Sequence, residues 1–164
     1  MKLAAARHNI TVRPIDRRAP RTRLLNRKNP SFMNTSRRVS PEQQRRLEVL
    51  AASVCRRLIS AGLPARVETE YEIIPGVEIG IDTGDDFSGG VYAEWSCGRD
   101  VRQASMDALK RGLFDDPAIE DLGAICGAMQ TAIFTILSVA GFAVELGDTE
   151  IAPYGVRVLA EPTE

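Results

Sequence analysis

Imidazole is almost missing from this chain: His8 is the one histidine among 164 residues. Without a second, the chain cannot assemble a zinc centre built on histidines, and the part beyond residue 38 cannot assemble a Ser-His-Asp or Cys-His catalytic set. Cysteine is nearly as sparse. Cys55, Cys97 and Cys126 are spread singly through apolar stretches, with no Cys-x-x-Cys spacing. An odd number of thiols with no clustered partner and no histidine company points to reduced, buried cysteines and to no metal or cofactor. Aromatic residues make up 5% of the chain and Trp95 is the only tryptophan, so few side chains are left to stack on nucleic-acid bases. Gly89-Gly90 is followed by neither Gly-Lys-Ser/Thr nor Gly-x-Gly-x-x-Gly, which excludes the common phosphate cradles.

Net charge is also nearly absent, at -1, but only by cancellation. Residues 1–38 hold eleven Lys and Arg against a single acid, Asp16, leaving ten bases and twenty-one acids for the rest. Arg13-Pro14, Ala19-Pro20 and Asn29-Pro30 interrupt this segment and no apolar period runs through it, so a disordered basic arm is expected over 1–38. Four readings of the arm compete. It is a solvated tail that touches nucleic acid or the protein's own acidic face by charge, or an upstream extension with the true start at Met33, or an Arg-rich transit peptide, or an export signal around Arg17-Arg18 or Arg37-Arg38. The export signal lacks its apolar stretch, and Phe32 alone offers little for base stacking, so any nucleic-acid binding by the arm is expected to be weak and non-specific. Residues 39–164 then form a single acidic domain, large enough to bury a core without staples.

Within that domain the apolar residues are periodic. Ser40-Pro41-Glu42-Gln43 carries a hydroxyl cap, a proline at the first helical position and a capping-box glutamine. It opens a helix whose stripe is Leu47, Leu50, Ala51, Val54, Leu58 and Ile59, closed by Gly62 and Pro64. Residues 66–73 switch to a period of two, with Val67, Thr69, Tyr71 and Ile73 opposed to Glu68, Glu70 and Glu72. Pro75-Gly76 is the expected hairpin turn into Val77, Ile79 and Ile81, and Val91, Ala93 and Trp95 mark a third strand. A short helix follows on Val101, Ala104, Ala108 and Leu109 up to Gly112. A long one then starts after Asp116-Pro117, its seam made of Ile119, Leu122, Cys126, Met129, Ile133, Ile136 and Ala140. Residues 142–146 and 151–159 read as two further strands around Gly147-Asp148.

The expected architecture is therefore α+β: an antiparallel sheet of about five strands, three plus two, with helices on one face in the order α-β-β-β-α-α-β-β. The same order occurs in small folds such as the type III secretion chaperones, an analogy of topology that no motif accompanies.

No charge interrupts 122–144, and Gly123-x-x-x-Gly127 lies at its head, the pattern of a membrane helix with a close-packing face. Gln130, Thr131, Thr135 and Ser138 dilute it and no Lys or Arg flanks it, so the stretch is expected to be a core helix covering the sheet, with no membrane partner. Part of its seam is a candidate homodimer contact. Tyr71, Trp95, Phe114, Phe134 and Phe142 are expected in the core or at its edges.

Ile81-Asp82-Thr83-Gly84 resembles the nucleophile-activating triplet of the aspartic proteases, which implies a shared proton between two such aspartates. Only one copy is present and Asp85 stands where a small residue is usual. Asp82, Asp85 and Asp86 also lack the ordered spacing of a calcium loop, so a polar turn without metal is expected. The acidic strand face is the better candidate. Glu68, Glu70, Glu72, Glu78 and Glu94, with Tyr92 among them, would crowd like charges across the sheet unless a basic partner relieved them. The composite expectation is a small cytoplasmic, non-enzymatic protein-interaction module, chaperone-like, immunity-like or regulatory. Its ligand would be a basic protein segment or its own arm. A carboxylate-dependent hydrolase at residues 82–86, with or without metal, and a nucleic-acid binder working through the arm are the alternatives.

Overall fold

Ser40 starts the domain as its sequence requires. In the computed structural model, which describes residues 38–68, 74–86, 89–147 and 152–162, the Ser40 hydroxyl accepts from the Gln43 amide at 3.2 Å and the Gln43 side chain accepts from the Ser40 amide at 3.0 Å. The two bonds satisfy backbone donors that the first turn leaves open. Helix α1 (Pro41–Ser60) buries Leu50, Ala51, Val54 and Leu58. Ile59, expected on that stripe, is 54% exposed, because a straight helix turns about 100° per residue and Leu58 already takes the inward place. The expected arm, apart from Arg38, lies outside the described residues.

Strands β1 (Ala65–Val67), β2 (Gly76–Asp82) and β3 (Gly90–Ser96) follow, then helices α2 (Arg99–Lys110) and α3 (Pro117–Val139), then β4 (Ala143–Leu146) and β5 (Val156–Ala160). They form one five-stranded mixed sheet in the order β1-β2-β3-β5-β4, so the expected α+β class and element order are realised. One pairing differs. β1 runs parallel to β2, with Ala65 opposite Val77 and Val67 opposite Ile79, and the other three pairings are antiparallel. Pro75-Gly76 is therefore not a hairpin turn between these two strands. Gly76 is the first residue of β2, at φ 138°, and a Cβ there would come within 2.8 Å of the Pro64 carbonyl oxygen. The Val77 amide donates to that same oxygen at 2.7 Å, which opens the parallel ladder. Residues 69–73, expected to extend the first strand, lie outside the described residues.

Alternation delivers the core. Val77 and Ile79 from β2, Val91 and Ala93 from β3, and Val156 and Val158 from β5 form a buried apolar face, covered by α1 and by Ile133 and Leu137 of α3. Phe142 is buried, and Trp95 and Phe134 pack partly buried against this cluster. Phe114, expected at its edge, is 73% exposed.

Asp116 caps α3, its carboxylate accepting from the Ala118 amide at 3.0 Å. By length and composition α3 is the one helix among the described residues able to span a membrane. Its C-terminal half enters the core through Ile133 and Leu137, whereas Leu122, Cys126, Met129 and Ile136 of the expected seam stay half-buried. Helix α3 also packs beside α2. The inward residues of α2 are Ser105 and Ala108, not Ala104 and Leu109, and they are too small to cover it. The Gly123 and Gly127 notch is filled from within the chain: a Cβ at Gly123 would lie 3.1 Å from the Tyr154 hydroxyl, and one at Gly127 would lie 4.0 Å from its ring.

Candidate functional site: an acidic groove on the open sheet face

The residues between the buried valines and isoleucines point to the other side of the sheet. Pairing sets Arg66 of β1 opposite Glu78 of β2, and Glu78 opposite Glu94 of β3. The next row is Gly80, Tyr92, Arg157 and Glu145, one residue from each of β2, β3, β5 and β4. Gly80 has no side chain to fill its place in that row. The depression is occupied at one side by Glu68, whose carboxylate lies 3.5 Å from where a Gly80 Cβ would sit. The result is a groove of about 440 Å³ with Glu68, Glu78, Asp82 and Glu94 around it and the Tyr92 ring along one wall.

Two arginines organise this face, and neither belonged to the expected set. Arg66 is ion-paired with Glu78 and also donates to the Ile74 carbonyl at 2.7 Å, tying the end of the β1–β2 connection to the groove. Arg157 pairs with Glu145 at 3.0 Å, donates to the Gly89 carbonyl at 2.6 Å and places its guanidinium 5.9 Å from the centre of the Tyr92 ring. Their signal was present in the sequence. Arg66 shares the outward alternation of Glu68, and Arg157 stands between Val156 and Val158.

The carboxyl of Glu94 titrates above the ordinary glutamate range, first because the groove partly desolvates it and then because Glu78 and Glu68 face it. Burial likewise raises the Tyr92 phenol, opposed by Arg157 and reinforced by Asp82, Glu145 and Asp86. A cation entering the groove would lower both, since it favours the charged forms. Of the six residues expected to bind a partner, Glu68, Glu78, Tyr92 and Glu94 come together here, and Glu70 and Glu72 lie outside the described residues.

At the groove's end, Asp82 folds back so that its carboxylate accepts from the Gly84 amide at 2.8 Å. The Val39 amide donates to the Thr83 carbonyl at 2.9 Å, and Arg38 bridges to Gly84. The Asp82-Thr83-Gly84 triplet thus builds a turn and anchors the entry of the domain. Among the described residues no three His, Cys, Asp or Glu side chains are grouped to hold a metal ion. The cysteines are not all solitary, as their sequence separation implies. The sulfurs of Cys97 and Cys126 lie 3.8 Å apart, brought together by the end of β3 and the middle of α3, while Cys55 is a separate free thiol on α1.

No protein-family model, curated protein or solved structure matches this chain.

Proposed function

We propose that the protein is a non-enzymatic partner-binding module whose acidic groove accepts a lysine or arginine side chain from a basic segment of another protein. The observation that supports this reading most is the direct opposition of Glu78 and Glu94, with the Glu68 carboxylate beside them and, among the described residues, the Arg66 guanidinium paired with Glu78. Like charges set directly opposite one another on a sheet destabilise it by roughly 0.2–1 kcal/mol per pair. A cationic side chain laid over Gly80 would relieve that repulsion and meet the Tyr92 ring, a pairing of carboxylates with an aromatic wall that suits ammonium and guanidinium groups.

The test is calorimetric titration of the full chain with a Lys/Arg-rich peptide at low and high salt. The wild type should bind, weaken as salt rises, and lose at least about tenfold in affinity on combining Glu78→Gln with Glu94→Gln. Equal binding of an uncharged peptide of the same length, or an unchanged affinity in the double variant, would refute the reading. The chain's own residues 1–37 are a competing source of positive charge. Deleting them should tighten binding of the added peptide if they occupy the groove, and leave it unchanged if the partner is another protein.

A further inference from the structure

Cys97 is buried and Cys126 half-buried, and nothing separates their sulfurs over 3.8 Å. A disulfide needs the sulfurs at about 2.0 Å, so closure asks for an approach of a length that side-chain rotation supplies. The pair joins two parts of the fold that packing holds unequally. Cys97 sits directly after β3, a central strand of the sheet, and Cys126 lies near the middle of α3, N-terminal to the buried Ile133 and Leu137.

We propose that Cys97 and Cys126 form a reversible disulfide, closed by exchange with a low-molecular-weight disulfide such as oxidised glutathione, that pins the outer half of α3 to the end of β3. Cys126 is the more accessible thiol and enters first. Its thiolate attacks one sulfur of oxidised glutathione, the old disulfide bond breaks and one glutathione thiolate leaves. Cys97, as thiolate, then attacks the Cys126 sulfur of the mixed disulfide and expels the second glutathione. The protein pair gives up two electrons and two protons, and one molecule of oxidised glutathione becomes two of reduced glutathione. Burial first, then the neighbouring Cys97 thiol and last the charge of Glu94, push the Cys126 thiol up to about 11. The entering thiolate is therefore scarce at neutral pH. Closure should quicken about tenfold per pH unit across the neutral and mildly alkaline range.

The experiment is incubation of the full chain with oxidised glutathione, read by intact mass, thiol count and peptide mapping. The expected result is a linked peptide pair containing positions 97 and 126 with no glutathione on either, Cys55 being left as a thiol or carrying its own glutathione adduct. The oxidised protein should melt about 5–10 °C higher than the reduced one, and dithiothreitol should reverse the gain. The variant Cys97→Ala should stop at the glutathione adduct of Cys126. Mapping of the wild type decides the matter even if that variant does not fold. Three thiols persisting after prolonged incubation at alkaline pH, a stable glutathione adduct at Cys97 or Cys126 in the wild type, or links formed only between chains through Cys55 would each overturn the proposal.

Discussion

Along β2, neighbouring residues meet opposite surroundings. Val77 and Ile79 are fully buried against α1 and the rest of the core, whereas Glu78 between them faces Glu94 and Arg66 on the open side of the same sheet. On the inner face every substitution that removes atoms leaves a void, so that face is close to its stability optimum. On the outer face a neutral residue at one of two opposed carboxylates would remove a repulsion, so that face is not. The outer face thus leaves room for a stabilising change that the inner face lacks, as the proposed binding role would require of it.

Three measurements break or sharpen this contrast. The largest effect belongs to the inner face: Ile79→Ala should cost about 2–5 kcal/mol in denaturant unfolding, since the side chain is fully enclosed. A loss below about 1 kcal/mol would erase the distinction between the faces. Next, Arg66→Met should destabilise by about 1 kcal/mol, because it removes the guanidinium paired with Glu78 on the side away from Glu94 and leaves the two carboxylates opposed. Adding Glu78→Gln to that variant should recover most of the loss, and a double-mutant cycle with no coupling would contradict the assigned pair.

The smallest effect has the opposite sign. Glu94→Gln should stabilise the protein at neutral pH by a few tenths of a kcal/mol. The folded carboxyl has its pKa raised above the unfolded value, so the folded state binds this proton more tightly. Its contribution to stability is complete below the ordinary glutamate pKa and is lost as pH rises through the raised one. The advantage of Glu94→Gln over the wild type should therefore grow from about pH 4 upward and then level off. A constant difference across that range would show that repulsion at Glu94 is not its source.

Much of this was legible in the residues. Ser40, Asp116 and the three-and-four spacing located α1 and α3, because caps and helical periodicity are local properties. Alternation sorted Val77, Ile79, Val91 and Ala93 from Glu78, Tyr92 and Glu94, and so identified both faces of the sheet. What alternation does not carry is direction: a strand reads the same whether its neighbour is parallel or antiparallel. For β1 and β2 the direction shows in the pairing itself, with Ala65 opposite Val77 and Val67 opposite Ile79. Hydropathy likewise marks α3 as apolar without saying how much of it the sheet is wide enough to cover. The opposition of Glu78 to Glu94 follows from register, which needs the turn residues as well as the pattern. Arg157 and Cys126 reach their partners through tertiary contacts, from Arg157 to Gly89 and from Cys126 to Cys97, that no short spacing announces.

Tyr154 gives the surface of α3 a limit on how it can change. Its ring, 41% exposed, is seated in the hollow over Gly123 and Gly127. Trimming the tyrosine would bare a smooth strip of helix shaped to receive a second helix, and bulk introduced at position 123 would evict the ring and uncover ground beside it. Tyrosine and glycine therefore act as plug and socket from two distant stretches of the chain, and a change at either one alone lays bare the ground the other now shares.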